Sequence, residues 1–86
     1  MEIAALEFPC DFPIKILGET RPGFAQSILE VVLRHAPDFD PGSLEMRSSS
    51  RGRYLSITCL IKAVSQSQLD SLYRELSGHP MVVMVL

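Results

Sequence analysis

Eighty-six residues leave room for one hydrophobic core, and a chain of this size buries only about 60 to 65% of its unfolded surface, so an unpaired polar group inside would be costly. An apolar fraction of 47% with 21% charged residues excludes long disordered stretches, and a formal charge of -2 excludes a general attraction to phosphate backbones. Cys10 and Cys59, at unrelated positions, do not make a disulfide-stapled scaffold, no basic segment precedes the first apolar run, and residues 81–86 fall far short of the roughly 20 needed to cross a bilayer; the expectation is a cytoplasmic protein with no membrane association.

In chain order, residues 1–13 read as an N-terminal arm of a single domain spanning 1–86. The arm carries Ile3, Leu6, Phe8 and Phe12, while Pro9 and Pro13 limit sheet pairing to an edge contact or the very start of a strand. Phe8 and Phe12 are expected to seal one edge of the core. Residues 14–17 form the first strand, with Ile14 and Ile16 on one face, Lys15 and Leu17 on the other, and Gly18 closing it. The turn that follows leads into a helix capped by Thr20 or by Arg21; the second choice would put Pro22 at its favoured first helical position. Phe24, Ile28, Val31, Val32 and His35 recur at helical spacing, and Pro37 stops the run. His35 falls in the last turn, where an imidazolium would complement the helix dipole.

Residues 37–42 form a connection, with Phe39 expected against the core. A short second strand follows with Leu44 and Met46 inward and Glu45 and Arg47 outward. The polar segment 48–53 is a hairpin tip in which Gly52 supplies a positive φ. Residues 54–63 alternate cleanly: Leu55, Ile57, Cys59, Ile61 and Ala63 on one face, Tyr54, Ser56, Thr58, Leu60 and Lys62 on the other. Ser65 and Gln68 make a capping box for a second helix with a stripe of Leu69, Leu72, Tyr73 and Leu76, and Asp70 and Arg74 are spaced to pair. Gly78 ends it, and residues 81–86 read as a last strand apolar enough to be covered on both faces.

Strand, helix, strand, strand, helix, strand is the order of the ferredoxin-like α+β fold: a split βαβ sandwich (βαββαβ) whose four-stranded antiparallel sheet carries both helices on one face. The other face would carry Lys15, Leu17, Tyr54, Ser56, Thr58 and Leu60 with Val83 and Val85, too apolar for open water. A protein partner, a second subunit or the arm is expected to cover it.

The residues Glu7, Phe8, Pro9; Lys15 with Gly18; Val31, Val32, Arg34, His35, Ala36, Pro37; Ser49, Ser50, Arg51, Gly52, Tyr54, Ser56; Leu72, Tyr73, Glu75, Leu76 and the closing Met84, Val85, Leu86 resemble the YbeD-like family of small bacterial proteins over nearly the whole chain. That family is a domain of unknown function; the resemblance implies the ferredoxin-like fold and no particular activity, and it typically has lysine where Arg51 stands. The turn Thr20, Arg21, Pro22, Gly23 before Phe24 also resembles the opening of the first helix in ACT regulatory domains. There a glycine-containing turn approaches a small ligand, often an amino acid. The resemblance makes Arg21 and Gly23 candidate ligand-binding residues, with Thr20 where such domains often have Asp.

On chemistry alone, the first helix's free N–H groups together with Arg21 suit a small anionic metabolite. Ferredoxin-like acylphosphatases pair an arginine in this region with an asparagine, and this chain has no Asn. His35, His79, Asp38 and Asp40 stand beside no evident nucleophile, and Cys10, His35, Cys59 and His79 lack metal-ligand spacing, so no catalytic residue, metal or cofactor is assigned. A single-stranded RNA platform would need more aromatics than Tyr54 on the open face. The expectation is a non-enzymatic regulatory or protein-interaction domain, or a homo-oligomer, that meets its partner through Arg51, Arg53 and Tyr54. The alternatives are an ACT-type small-molecule sensor, an RNA-binding domain and, least of all, an acylphosphatase-like enzyme.

Overall fold

A computed structural model describes residues 7–86. Ile3, Leu6 and the first part of the expected arm lie outside the described residues. The elements are β1 (Cys10–Glu19), α1 (Phe24–His35), a 3-10 turn (Pro41–Ser43), β2 (Glu45–Ser48), β3 (Tyr54–Ala63), α2 (Gln66–Ser77) and β4 (Val82–Val85). The strands form one antiparallel sheet in the order β2-β3-β1-β4, which is the ferredoxin-like arrangement expected from the order of elements. Among the described residues, no helix is long and apolar enough to cross a membrane.

The central ladder joins β1 to β3 residue by residue, from Cys10 opposite Ala63 to Glu19 opposite Tyr54. Because successive side chains alternate faces, Ile14 and Ile16 share a layer with Ile57, Cys59 and Ile61. Phe24, Ile28, Val31 and Val32 of α1 and Leu69, Leu72 and Leu76 of α2 complete the same cluster, and none of these side chains is more than 2% exposed. Phe8, Phe12 and Phe39 pack against it as expected, Phe12 meeting the Tyr73 ring edge-on at 6.4 Å between centroids. Burial pushes the Cys59 thiol up from its ordinary 9.0 to about 11. The unfolded chain would release that proton first, so stability is expected to fall as pH rises from 9 to about 11, and Cys59→Ala to flatten this fall in denaturant titrations across the same range.

Several local expectations are corrected. β1 opens at Cys10 rather than Ile14, inside the stretch assigned to the arm, and runs straight through Pro13. Lys15 exchanges both backbone hydrogen bonds with Leu86 on the β4 side. By strand alternation Pro13 turns its ring nitrogen to that same side, beyond the last paired position of β4, and so no ladder bond is lost. Gly18 does not close the strand either. It lies buried within β1, where an added Cβ would stand 2.5 Å from the Phe24 ring and 2.5 Å from the Met81 carbonyl oxygen. The cap of α1 is neither Thr20 nor Arg21 but Gly23, in the left-handed region at φ 84 with no side-chain cap bond, so Phe24 rather than Pro22 opens the helix.

Met46 is 56% exposed, although its pairing with Ile57 points it to the helix side, because β2 is an edge strand that neither helix overhangs. In β4 the register slips between Leu17 and Gly18, so Val82 and Val85 both turn to the core while Val83 and Met84 stay out, at 57% and 48% exposure. Val85 therefore leaves the open face, Met84 joins it, and β4 is not covered on both sides. In α2, Gln68 N–H does donate to Ser65 Oγ (3.0 Å), but Gln68 Oε1 accepts from Val64 N–H rather than from Ser65, and its Nε2 donates to the His35 carbonyl at the end of α1. Asp70 accepts from Gln66 Nε2 in place of Arg74.

Candidate functional site

Both sets of candidate residues come to one end of the sheet. Glu19 pairs with Tyr54, and the next backbone group, Thr20 N–H, donates to the Arg53 carbonyl at 2.8 Å, so the turn carrying Arg21 and Gly23 is tied to the tip carrying Arg51 and Arg53. The tip is held rather than loose. Ser49 N–H donates to the Tyr54 carbonyl, Gly52 N–H to the Ser49 carbonyl, and Tyr54 N–H to Ser49 Oγ, while Gly52 adopts the expected positive φ of 71. A shallow depression of about 260 Å³ lies among Ser49, Ser50, Arg51, Arg53 and Tyr54. Three of the eight basic side chains, Arg21, Arg51 and Arg53, thus occupy one end of a chain that is negative as a whole, with Glu19 the acidic neighbour.

At the same end α1 presents its amino terminus. Phe24 N–H donates back to the Arg21 carbonyl and Ser27 N–H to the Gly23 carbonyl, and the first turn contains no acidic residue. The helix dipole there adds to the positive field. Gly23 is needed for its backbone conformation and not to let a neighbour approach, since a Cβ on it would meet nothing within 4 Å.

The other groups weighed in the sequence have structural tasks. Glu75 receives both Arg34 and, at 2.7 Å, His35 Nε2, fastening α2 to the end of α1. His79 Nδ1 accepts from Met81 N–H at 3.1 Å. Cys10 and Cys59 are both free thiols. No group of three or more His, Cys, Asp or Glu side chains converges among the described residues. The open sheet face divides into a polar half, where a depression of about 670 Å³ lies among Lys15, Glu45, Arg47, Ser56 and Thr58, and an apolar half with Leu17, Leu60, Val83 and Met84. Tyr54 is the one aromatic on it among the described residues.

A family profile described as "Protein of unknown function (DUF493)" matches residues 4–86. The chain belongs to this family. DUF493 relatives include a UPF0250 protein of Nitrosomonas europaea, 58% identical over 99% of this chain and 98% of its own length, and one of Bordetella pertussis, 55% identical over 99% and 93%. The YbeD-like resemblance is thereby established. Among solved structures, protein HP0495 from H. pylori superposes with a TM-score of 0.79 at 16% identity, covering 99% of this chain and 89% of that one. The ACT domain from GTP pyrophosphokinase of Chlorobium tepidum superposes with a TM-score of 0.66 at 20% identity, covering 88% and 84%. These likenesses establish a shared backbone fold for this DUF493 chain.

Sequence reasoning named each of these site residues but gave the turn to a small ligand and the tip to a protein partner. What joins them is the Thr20 to Arg53 bond, which becomes visible only once β1 is extended to Glu19 and set in register with β3.

Proposed function

We propose that this chain is a non-enzymatic regulatory module that recognises an acidic segment of a protein partner through the end of the sheet bearing Arg21, Arg51, Arg53 and Tyr54. The observation that carries this reading is the hydrogen bond from Thr20 to Arg53, which sets two arginine-bearing loops and a helix amino terminus side by side. Guanidinium groups suit carboxylates through paired hydrogen bonds, and Tyr54 offers an amphipathic surface beside them. The test is affinity chromatography of a bacterial lysate, with and without nuclease, on the wild type and on Arg51→Ala/Arg53→Ala. A nuclease-resistant, salt-sensitive protein partner is expected on the wild type and at least tenfold less of it on the variant, with the melting temperature of the domain unchanged. Equal retention by both would remove the tip from the interface, and nuclease-sensitive material would point to RNA instead.

A second reading is an ACT-type sensor of an amino acid or similar anion at Arg21 and Gly23. It is favoured by the backbone likeness to an ACT domain and by the same uncapped α1 terminus. Thermal stability measured against a panel of free amino acids separates the two, since only the sensor gains stability from a small ligand without a protein partner.

A further inference from the structure

β2 is an unpaired sheet edge whose backbone and charges fit a second copy of themselves. Met46 and Ser48 turn their N–H and C=O groups away from β3, because the inward positions are taken by Arg47, paired with Ser56, and by Ser49, which bonds Tyr54. Nothing among the described residues covers this edge, all four residues are exposed, and the strand carries no Pro, no Lys and no bulge to blunt it. Neither Glu45 nor Arg47 takes part in an ion pair among the described residues.

We infer that β2 is the interface of a two-fold symmetric dimer in which Met46 pairs with Met46 of the second copy. In that register the two outward-facing Met46 backbones exchange both their hydrogen bonds, and Ser48 N–H meets the free C=O of Leu44 on the other copy. Glu45 then lies directly opposite Arg47 of the second copy, and Arg47 opposite its Glu45, in the closer, non-hydrogen-bonded type of pair. The neighbouring symmetric registers, centred on Glu45 or on Arg47 and reached by sliding one strand two residues along the other, put Glu45 against Glu45 or Arg47 against Arg47, so like-charge repulsion selects the central one. The two Met46 side chains meet on the helix side, which accounts for an apolar group 56% exposed on a strand otherwise polar. The symmetry axis stands perpendicular to the sheet, giving eight continuous strands with all four helices on one face. This surface is distinct from the arginine-rich end, so the two readings fail separately.

Sedimentation velocity from about 10 μM to about 1 mM is the experiment, a range suited to an interface smaller than a standard one. A monomer–dimer equilibrium is expected for the wild type. Glu45→Arg, which turns both cross-copy pairs with Arg47 into like-charge pairs, is expected to weaken association roughly tenfold or more, and Glu45→Arg/Arg47→Glu to restore it. Amide exchange at Met46 and Ser48 is expected to slow as concentration rises, while Arg47 does not change. A wild type monomeric throughout, a dimer indifferent to Glu45→Arg, or a double variant as weak as the single one would overturn the inference.

Discussion

Gly18→Ala is expected to destabilise the domain by more than about 3 kcal/mol, a large share of the roughly 5 to 15 kcal/mol that holds a small domain folded. The new Cβ would stand 2.5 Å from both a ring carbon of Phe24 and the Met81 carbonyl oxygen, and the second of these is backbone fixed by the approach to β4. Relief would require β4 to peel from β1 or α1 to lift from the sheet. In thermal melts this corresponds to a drop of more than about 12 °C, at roughly 4 to 8 °C per kcal/mol for a domain of this size. Gly23→Ala is the matched control: its Cβ meets nothing, the cost is confined to the left-handed backbone, and a loss of about 1 kcal/mol is expected. Equal losses at the two glycines would mean that crowding at Gly18 is absorbed elsewhere.

Phe24→Ala is expected to cost about 3 to 5 kcal/mol by denaturant titration, through lost burial and the cavity left behind. The ring is fully buried between α1 and the sheet, and Gly18 is small because the ring is there. The two positions should therefore couple. Gly18→Ala in a Phe24→Leu background should cost less than the sum of the single losses, because the narrower side chain withdraws one of the two contacts while the Met81 carbonyl keeps the other. Strict additivity would show that the two residues do not share that space.

The fold was legible where period and burial agree. The alternation of residues 54–63 placed Ile57, Cys59 and Ile61 in the core, and helical spacing did the same for Ile28, Val32, Leu69 and Leu72. It was illegible where a neighbour decides. Pro13 reads as a strand breaker until the side that its nitrogen faces is known. Val83 and Val85 read as one face until a one-residue slip in the pairing with β1 separates them. Met46 sits on the face its alternation indicates and is exposed because β2 lies beyond the reach of the helices. At the site the residue types were readable, since Arg21, Arg51, Arg53 and Gly23 stand out by charge and turn chemistry. Their assembly was not, because it depends on a hydrogen bond between loops distant in sequence.

The long register between β1 and β3 also bears on the order in which its own pairs are expected to form. Helices form from near neighbours within about a microsecond, whereas this ladder must first close a long loop of chain. Its members nearest in sequence are Glu19 and Tyr54, and its most distant are Cys10 and Ala63. Closure of this ladder is thus cheapest at the arginine-bearing end, where Thr20 reaches Arg53, and it is expected to zip from there toward Cys10. The loops bearing Arg21, Arg51 and Arg53 are then expected to be the first part of this ladder to be fixed, and β4, whose partners in the second half of β1 are the most distant in sequence, the last strand to arrive.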